Sequence, residues 1–219
     1  MTVKQQKSGR KGKRWRRRKD ARPAEIRLAA LECFGEKGFA ATRLDDVAEL
    51  AGVTKGTLYL YFQNKEDLFK AVVSEELVPN IVRIQSRIAE LDLSPPEALA
   101  QLMRFWIRTL MTTRLSLMPK IVISEVGNFP ELAEFYIHEV IDRGFSLIGG
   151  IISKGIKSGH FREVDVEETT MCVIAPAIVS MLWKHTFELH GSRKIDPESL
   201  LESHIEIILR GLQAKPANG

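Results

Sequence analysis

The segment that most constrains the fold of this chain is residues 54–62, Thr-Lys-Gly-Thr-Leu-Tyr-Leu-Tyr-Phe. Thr54 can cap the N-terminus of a helix, and Leu58 and Phe62 lie four residues apart, so both can face one buried side of that helix. The leading edge of the same helix is small, polar and positively charged. Because a short helix of this shape fits the major groove, the segment predicts DNA binding.

The residues on both sides of that segment predict further helices. Apolar residues recur at helical spacing across residues 23–37, and the proline at the start suits the first turn of a helix. Thr42, followed by Asp45 three residues later, predicts the N-cap of a second helix, and Asn64 predicts the N-cap of a fourth. The apolar positions of these helices predict one small core: Ile26, Ala30, Phe34, Val47, Val53, Leu58, Phe62 and Leu68.

Beyond Leu68 the chain lacks the alternation of apolar and polar residues that is typical of strands. Long helical patterns separated by prolines and glycines cover this part, and the clearest of them are residues 130–158, 164–189 and 196–212. Pro79 predicts a kink in the fourth helix. The whole chain is therefore predicted to be all-α.

Positive charge is concentrated at the start of the chain. Residues 1–22 have one acidic residue, Asp20, and eleven basic ones: Lys4, Lys7, Arg10, Lys11, Lys13, Arg14, Arg16, Arg17, Arg18, Lys19 and Arg22. The rest of the chain has more acidic than basic residues, although the net charge of the whole is +4. Because residues 1–22 cannot bury a core, they predict an arm that is disordered when free. It is either a solvated tail or an arm that binds DNA, through phosphates and an arginine in the minor groove.

The sequence predicts a soluble, cytoplasmic protein. Its longest apolar run, residues 173–183, contains Pro176 and is shorter than the ~18 residues that a membrane span requires. No apolar stretch follows the basic N-terminus, so a secretory signal is not expected.

Patterns that would indicate catalysis or metal binding are weak. Cys33 and Cys172 each lie in an apolar helical pattern and are predicted to be buried thiols, and the five histidines lack the spacing of a helical metal site. The glycines between residues 144 and 155 have neither the spacing of a nucleophile elbow nor the lysine of a phosphate loop. We therefore expect no metal, no cofactor and no enzyme activity.

Several short motifs follow one another in residues 23–69: Gly38-Phe-Ala-Ala-Thr42, Asp46-Val-Ala48, Ala51-Gly-Val53, Lys55-Gly-Thr-Leu-Tyr59, Tyr61-Phe62 and Asn64-Lys-Glu-Asp-Leu68. Their combined order and spacing resemble the N-terminal domain of the TetR/AcrR family of bacterial transcriptional regulators. The segment of residues 119–135 is similar to the ligand domains of AefR/AcrR-like regulators. The resemblance implies a three-helix helix-turn-helix DNA-binding domain over residues 23–69 and a larger α-helical domain for ligand binding and dimerisation over residues 70–219.

The residues of the third helix suggest their own roles on DNA. Lys55 can reach guanine or phosphate, Thr57 can reach a base edge, and Gly56 allows close approach. The resemblance implies backbone contacts at the start of the second helix, base contacts from the third helix, and phosphate contacts after it. The residues concerned are, in that order, Thr42 and Arg43; Lys55, Gly56, Thr57 and Tyr59; and Tyr61 and Lys65. Thr54, at the start of the third helix, is a further candidate for DNA binding.

Two of these assignments have alternatives. Tyr59 and Tyr61 can instead belong to the core, as Phe62 is expected to do. Asp45 and Asp46 would repel phosphate unless they cap helices or accept a hydrogen bond from a cytosine amino group, and capping is the favoured interpretation.

The C-terminal part contains candidate ligand-binding residues. Methionine and aromatic side chains can line an adaptable apolar pocket, and they can equally form the ordinary core of a helical bundle. Glu125 is the polar candidate, because it lies in an apolar setting where it can meet a ligand or point to solvent. The full candidate set is Met103, Trp106, Met118, Glu125, Phe145 and Met181.

The last two helices predict a homodimer. One is apolar around more than half of its circumference, at Val173, Ile174, Ala177, Ile178, Met181 and Leu182. The other has a matching stripe at Leu201, Ile205, Ile208 and Leu212. A helix that is apolar on two sides must bury one against its own domain and the other against a partner.

Together these features predict a ligand-responsive transcriptional regulator. The resemblance implies a repressor that binds a palindromic operator as a dimer and is released by a small, largely apolar effector. One alternative is an architectural protein that coats DNA without sequence preference, which only the basic arm favours. The other is an α-helical enzyme.

Overall fold

The chain was described from a computed structural model that places residues 8–214 except residues 126 and 192, with side chains from Arg22 onward. The fold of this described part is all-α, as predicted, with one isolated β-bridge between Phe161 and Gln213. Its α-helices are α1 Ser8–Lys37, α2 Leu44–Leu50, α3 Lys55–Tyr59, α4 Lys65–Val72, α5 Val78–Glu90, α6 Pro95–Met111, α7 Met118–Glu125, α8 Pro130–Tyr136, α9 Asp142–Lys157, α10 Val166–Thr186 and α11 Pro197–Leu212.

Helix α1 is longer than the sequence pattern predicted. It begins at Ser8 instead of Pro23, so its backbone is helical through most of the basic segment that was expected to be disordered. Arginine, lysine and alanine have high helix propensity, and Pro23 removes only one backbone hydrogen bond from a long helix.

Capping side chains set the starts of three helices where the sequence predicted them. The Thr54 hydroxyl accepts a hydrogen bond from the Thr57 N–H at 3.2 Å, and the Asn64 side chain accepts from the Asp67 N–H at 2.7 Å. Asp196 caps α11 in the same way. Helix α2 differs, because its N-cap is the residue after Thr42.

The predicted core of the N-terminal domain is buried, except that Val53 is only partly so. Aromatic rings extend this core toward the C-terminal domain. The Phe39 ring lies 5.1 Å from Phe34, 5.6 Å from Phe69 and 4.8 Å from Phe129, measured between ring centroids. Because Phe129 directly precedes α8, the two domains share one continuous apolar contact.

Two π-helical turns interrupt otherwise continuous helices. The first, Val73–Leu77, joins α4 to α5, and the second, Ile137–Ile141, joins α8 to α9. Where a kink was predicted at Pro79, the structure has a π-helical turn that ends just before this proline. The two π-helical turns contact each other, which brings α5 and α9 together around the interior of the C-terminal domain.

Candidate nucleic-acid interface and effector cavity

Helix α3 presents a well-defined outer face. Leu58 and Phe62 are buried on its inner side, as their spacing predicted. Gly56 and Leu60 are four residues apart on the opposite side, and the Leu60 side chain is 79% exposed. The centre of the exposed face is therefore a glycine followed one turn later by an unburied leucine.

Nothing inside the protein requires glycine at position 56. A methyl group built there would meet no atom nearer than the Thr54 hydroxyl, at 4.0 Å, and the residue has no positive φ angle. Glycine inside a helix costs about 1 kcal/mol relative to alanine. Glycine at this position leaves room on the outer face of α3 for the close approach of another molecule.

Polar contacts organise the side chains around that face. The Lys55 ammonium lies 2.8 Å from a carboxylate oxygen of Asp45, and this hydrogen bond raises the pKa of Lys55. The Thr54 and Thr57 hydroxyl groups lie 2.8 Å apart. Lys55 stays positively charged and is held beside α2, and the two threonines support the start of α3.

The two acidic residues of α2 have different functions. Asp46 accepts a hydrogen bond from the Arg43 N–H at 3.3 Å, which confirms helix capping for this residue. Its carboxylate also lies 3.1 Å from the Lys37 ammonium, which lowers the pKa of Asp46. Asp45 does not have the capping role that was predicted for it, because its side chain pairs with Lys55.

Two predicted DNA contacts are directed into the protein instead. Thr42 is only 3% exposed, and its hydroxyl donates to the carbonyl of Gly38 at 2.7 Å or of Cys33 at 3.1 Å. The Lys65 ammonium donates to the carbonyls of Phe39, Ala40 and Thr42, at 2.6, 2.8 and 3.2 Å. Gly38 turns the chain with φ +82°, and the loop that follows leaves these carbonyls without helical partners. Both side chains therefore close the α1–α2 loop.

The other candidates for DNA contact are distributed as follows. Arg43, Thr54, Lys55, Gly56 and Tyr59 are exposed. Thr57 is partly buried, and Tyr61 is partly buried against the core. Leu60 was not selected as a candidate from the sequence, although its position opposite the buried Leu58 places it on the exposed face.

The C-terminal domain encloses an apolar cavity of about 290 Å³. Helices α5, α6, α7, α9 and α10 surround it, and both π-helical turns contribute to its wall. Four of the six predicted ligand-binding residues line it: Trp106, Met118, Phe145 and Met181. Among the described residues that line the cavity, none carries a charge. Its volume is close to the lower limit for small-molecule pockets.

The other two candidates lie elsewhere. Met103 is buried where α6 meets α10 and α11 and does not line the cavity. Glu125 lies at the junction of the two domains, where its carboxylate accepts a hydrogen bond from the Ala40 N–H at 3.3 Å. Glu125 therefore contacts the α1–α2 loop and does not line the cavity.

Helix α7 contacts the cavity and the N-terminal domain at the same time. Met118 and Val122 line the cavity. On the same helix, the Lys120 ammonium donates to the Gly35 carbonyl at 3.3 Å, and Glu125 accepts from Ala40. A displacement of α7 by a ligand would therefore act directly on the end of α1 and on the loop that precedes α2.

The apolar stripes predicted for dimerisation are largely internal. Val173, Ala177, Met181, Leu201, Ile205 and Leu212 are buried within the domain, because the helical period brings them under their neighbours. Different residues form the outer faces of α10 and α11. Val179 and Ile207 are exposed there, the latter at 67%, and Cys172 is exposed on α10 although a buried thiol was predicted.

Segment Val166–His190, which includes α10, is long and apolar enough to cross a membrane by length and composition alone. The core helix of a soluble protein passes the same test, and one face of α10 is buried in the domain. Within the described residues, no group of three or more His, Cys, Asp or Glu side chains could hold a metal ion.

Comparisons with known proteins agree with this geometry. Residues 26–72 match the family model of bacterial regulatory proteins, tetR family. The chain is 25% identical over 200 residues to the fatty acid metabolism regulator protein of Bacillus subtilis (strain 168), covering 90% of this chain and all of the relative. It is 47% identical over 57 residues to the HTH-type transcriptional regulator RutR of Escherichia coli (strain K12), covering 26% of this chain and 27% of the relative.

A solved structure extends the similarity to the C-terminal domain. The transcriptional regulator FadR from Bacillus subtilis, crystallised in complex with stearoyl-CoA, superposes with a TM-score of 0.70 at 26% identity. The alignment covers 87% of this chain and 99% of FadR. The similarity therefore includes the helices around the cavity as well as the helix-turn-helix.

Proposed function

We propose that this chain is a dimeric repressor of the TetR family, released from its operator by an apolar effector; the match of residues 26–72 to that family's model and the similarity to FadR support it. The proposal includes a cytoplasmic location and no enzyme activity. The observation that carries it is the pairing of an exposed helix α3 with a cavity that shares α7 with the N-terminal domain. One molecule thus has a surface for DNA, a space for a ligand and a direct connection between them.

On DNA, α3 would lie in the major groove with Gly56 and Leu60 closest to the bases. Lys55 and Tyr59 flank this line and would contact base edges, and Arg43 at the start of α2 would contact phosphate. Thr42 and Lys65 are omitted from this interface, since their polar groups are bonded inside the protein. The phosphate contact of Tyr61 remains part of the proposal.

A dimer would place two such helices for a palindromic site. Two recognition helices related by a two-fold axis match successive major grooves when they are ~34 Å apart. The outer faces of α10 and α11 support this assembly, because Val179 and Ile207 are apolar and exposed on a single chain. Burial of these faces against a second copy would remove them from water.

Replacing Ile207 with glutamate is expected to convert the dimer into a monomer, because it would bury a charge in the subunit interface. Sedimentation velocity measures the change directly. Leu91→Glu is the matched control, since Leu91 is an exposed apolar residue at the end of α5. A dimer that survives Ile207→Glu would place the subunit interface elsewhere.

The effector is proposed to insert a hydrocarbon chain into the cavity. The wall is apolar, and the FadR relative was crystallised with stearoyl-CoA, which has such a chain. The absence of charged residues from the described part of the wall means that any ionised group of the effector would stay outside the cavity.

Footprinting of the purified protein on genomic DNA, with and without stearoyl-CoA, tests the whole proposal. We expect protection of a palindromic sequence that is lost when stearoyl-CoA is added. Protection without sequence preference would favour the architectural alternative. If the protection is sequence-specific but no acyl-CoA changes it, the effector does not carry a hydrocarbon chain of this kind.

Glu125→Ala is expected to weaken the coupling between effector and DNA severalfold, within the ~5–150-fold range that is typical of allosteric proteins. The affinity for the effector itself should stay within about twofold, since Glu125 lies outside the cavity. Calorimetry of effector binding and gel shifts with and without effector provide both quantities. Glu125→Gln retains an acceptor oxygen for the Ala40 N–H and is the control. A large loss of effector affinity would indicate that Glu125 contacts the effector.

A further inference from the structure

The cavity of the C-terminal domain is apolar with two local exceptions. Among the described side chains that line it, only Tyr136 and Trp106 have a nitrogen or oxygen atom. Tyr136 is the more informative of the two, because a hydroxyl group can both donate and accept a hydrogen bond. One polar group in such a wall gives a bound ligand a specific point of attachment.

The surroundings of the Tyr136 hydroxyl leave it available to a ligand. The residue is buried, at 9% exposure, and no described residue forms a hydrogen bond with its side chain. Burial alone raises the pKa of Tyr136, so the hydroxyl is neutral and keeps its proton. The hydroxyl oxygen is not one of the buried side-chain atoms that lack a hydrogen-bond partner, so it keeps accessible surface at the wall of the cavity. Polar groups inside proteins are normally hydrogen-bonded. Its position suggests that the missing partner arrives with a ligand.

The backbone around Tyr136 supports this interpretation. Tyr136 is the last residue of α8, directly before the π-helical turn Ile137–Ile141. The wider turn lets Tyr136, Val140 and Ile141 line the same cavity. The other π-helical turn, which contacts this one, contributes Leu77 to the wall. Single π-helical turns inside α-helices occur frequently at functional sites.

We propose that Tyr136 binds a neutral acceptor oxygen of the effector, such as the carbonyl of a thioester, ester or ketone, by donating a hydrogen bond inside the apolar cavity. This inference rests on the proposed function, because it requires that an apolar effector enters the cavity. It adds that the part of the effector inside the cavity contains an oxygen atom as well as a hydrocarbon chain. It also excludes a buried carboxylate, which would find no positive charge among the described lining residues.

The hydrogen bond provides selectivity against analogues without the oxygen. When the ligand has a carbonyl, both polar groups are satisfied in the complex. When the ligand lacks it, the Tyr136 hydroxyl stays unpaired and the complex gains nothing from it. Removing the hydroxyl should therefore weaken only the ligand that has the oxygen.

A thermodynamic cycle with two ligands and two proteins tests this inference. The ligands are stearoyl-CoA and its thioether analogue S-octadecyl-CoA, which lacks the carbonyl oxygen. The proteins are the full chain and its Tyr136→Phe variant, and calorimetry measures the four dissociation constants. We expect Tyr136→Phe to weaken stearoyl-CoA binding about tenfold and to leave thioether binding within about twofold. The melting temperature of the ligand-free variant should not fall, because the hydroxyl forms no hydrogen bond with any described residue.

The outcomes separate this inference from the proposed function. If both proteins bind both ligands with equal affinity, Tyr136 does not bind the carbonyl oxygen. The proposal that the effector inserts a hydrocarbon chain would still hold. A parallel loss for both ligands, or a lower melting temperature, would assign Tyr136 a role in packing and overturn the inference. If the unmodified protein binds neither ligand, the hydrocarbon effector and the role of Tyr136 both fail.

Discussion

Gly56→Ala is expected to stabilise the folded protein and yet weaken operator binding by at least about tenfold. The methyl group has space inside the protein, since its nearest neighbour would be the Thr54 hydroxyl at 4.0 Å. Alanine also improves helix propensity, so the free energy of unfolding should rise by up to about 1 kcal/mol. On DNA, however, the added methyl would occupy the centre of the face that approaches the bases.

Thermal unfolding and gel shifts on the footprinted operator measure the two effects of Gly56→Ala separately. The matched control is Gly150→Ala, because Gly150 is also an exposed helical glycine with no atom within 4 Å of the added methyl. Gly150→Ala should stabilise the protein without changing DNA affinity. If Gly56→Ala bound the operator normally, the closest approach of α3 to DNA would have to lie elsewhere.

Deletion of residues 2–21 is expected to lower operator affinity by about a hundredfold at low salt and to flatten the salt dependence of binding. Ten of the eleven basic residues of the arm are lost, and each phosphate contact that disappears should reduce the slope of log K against log[salt] by about 0.9. Arg22, which donates to the Gly52 carbonyl at 3.3 Å, is retained, so the contact between α1 and the end of α2 persists.

Fluorescence anisotropy with labelled operator at several salt concentrations measures both the affinity and the slope. The control is an arm of equal length in which the same lysine and arginine residues are replaced by glutamine. It should behave like the deletion if charge is the cause. An unchanged slope in both proteins would identify the basic segment as a solvated tail.

Local patterns predicted the helices well, because the chemistry that starts a helix lies within a few residues. Thr54, Asn64 and Asp196 cap helices through side-chain oxygens that reach backbone N–H groups two or three positions ahead. The inner side of α3 followed from the four-residue spacing of Leu58 and Phe62. Each of these assignments depends on geometry that a single helix supplies.

Predictions were weaker where a side chain finds its partner far away in sequence. Lys65 was expected on phosphate, yet its ammonium donates to carbonyls more than twenty residues earlier. Glu125 was expected to meet a ligand or to point to solvent, yet its carboxylate accepts a hydrogen bond from the Ala40 N–H in the other domain. A charged residue of this kind looks available in the sequence, because only the folded chain supplies the carbonyl or N–H that satisfies it.

The sequence by itself determined the all-α class, the helix-turn-helix with its exposed third helix, and the concentration of positive charge at one end. These properties depend on composition and on periods of a few residues. Only the tertiary structure decided which apolar stripes face inward, which polar side chains are bonded inside the protein, and that Tyr136 lines the cavity. Those outcomes depend on contacts between distant helices, whose packing is a property of the whole chain.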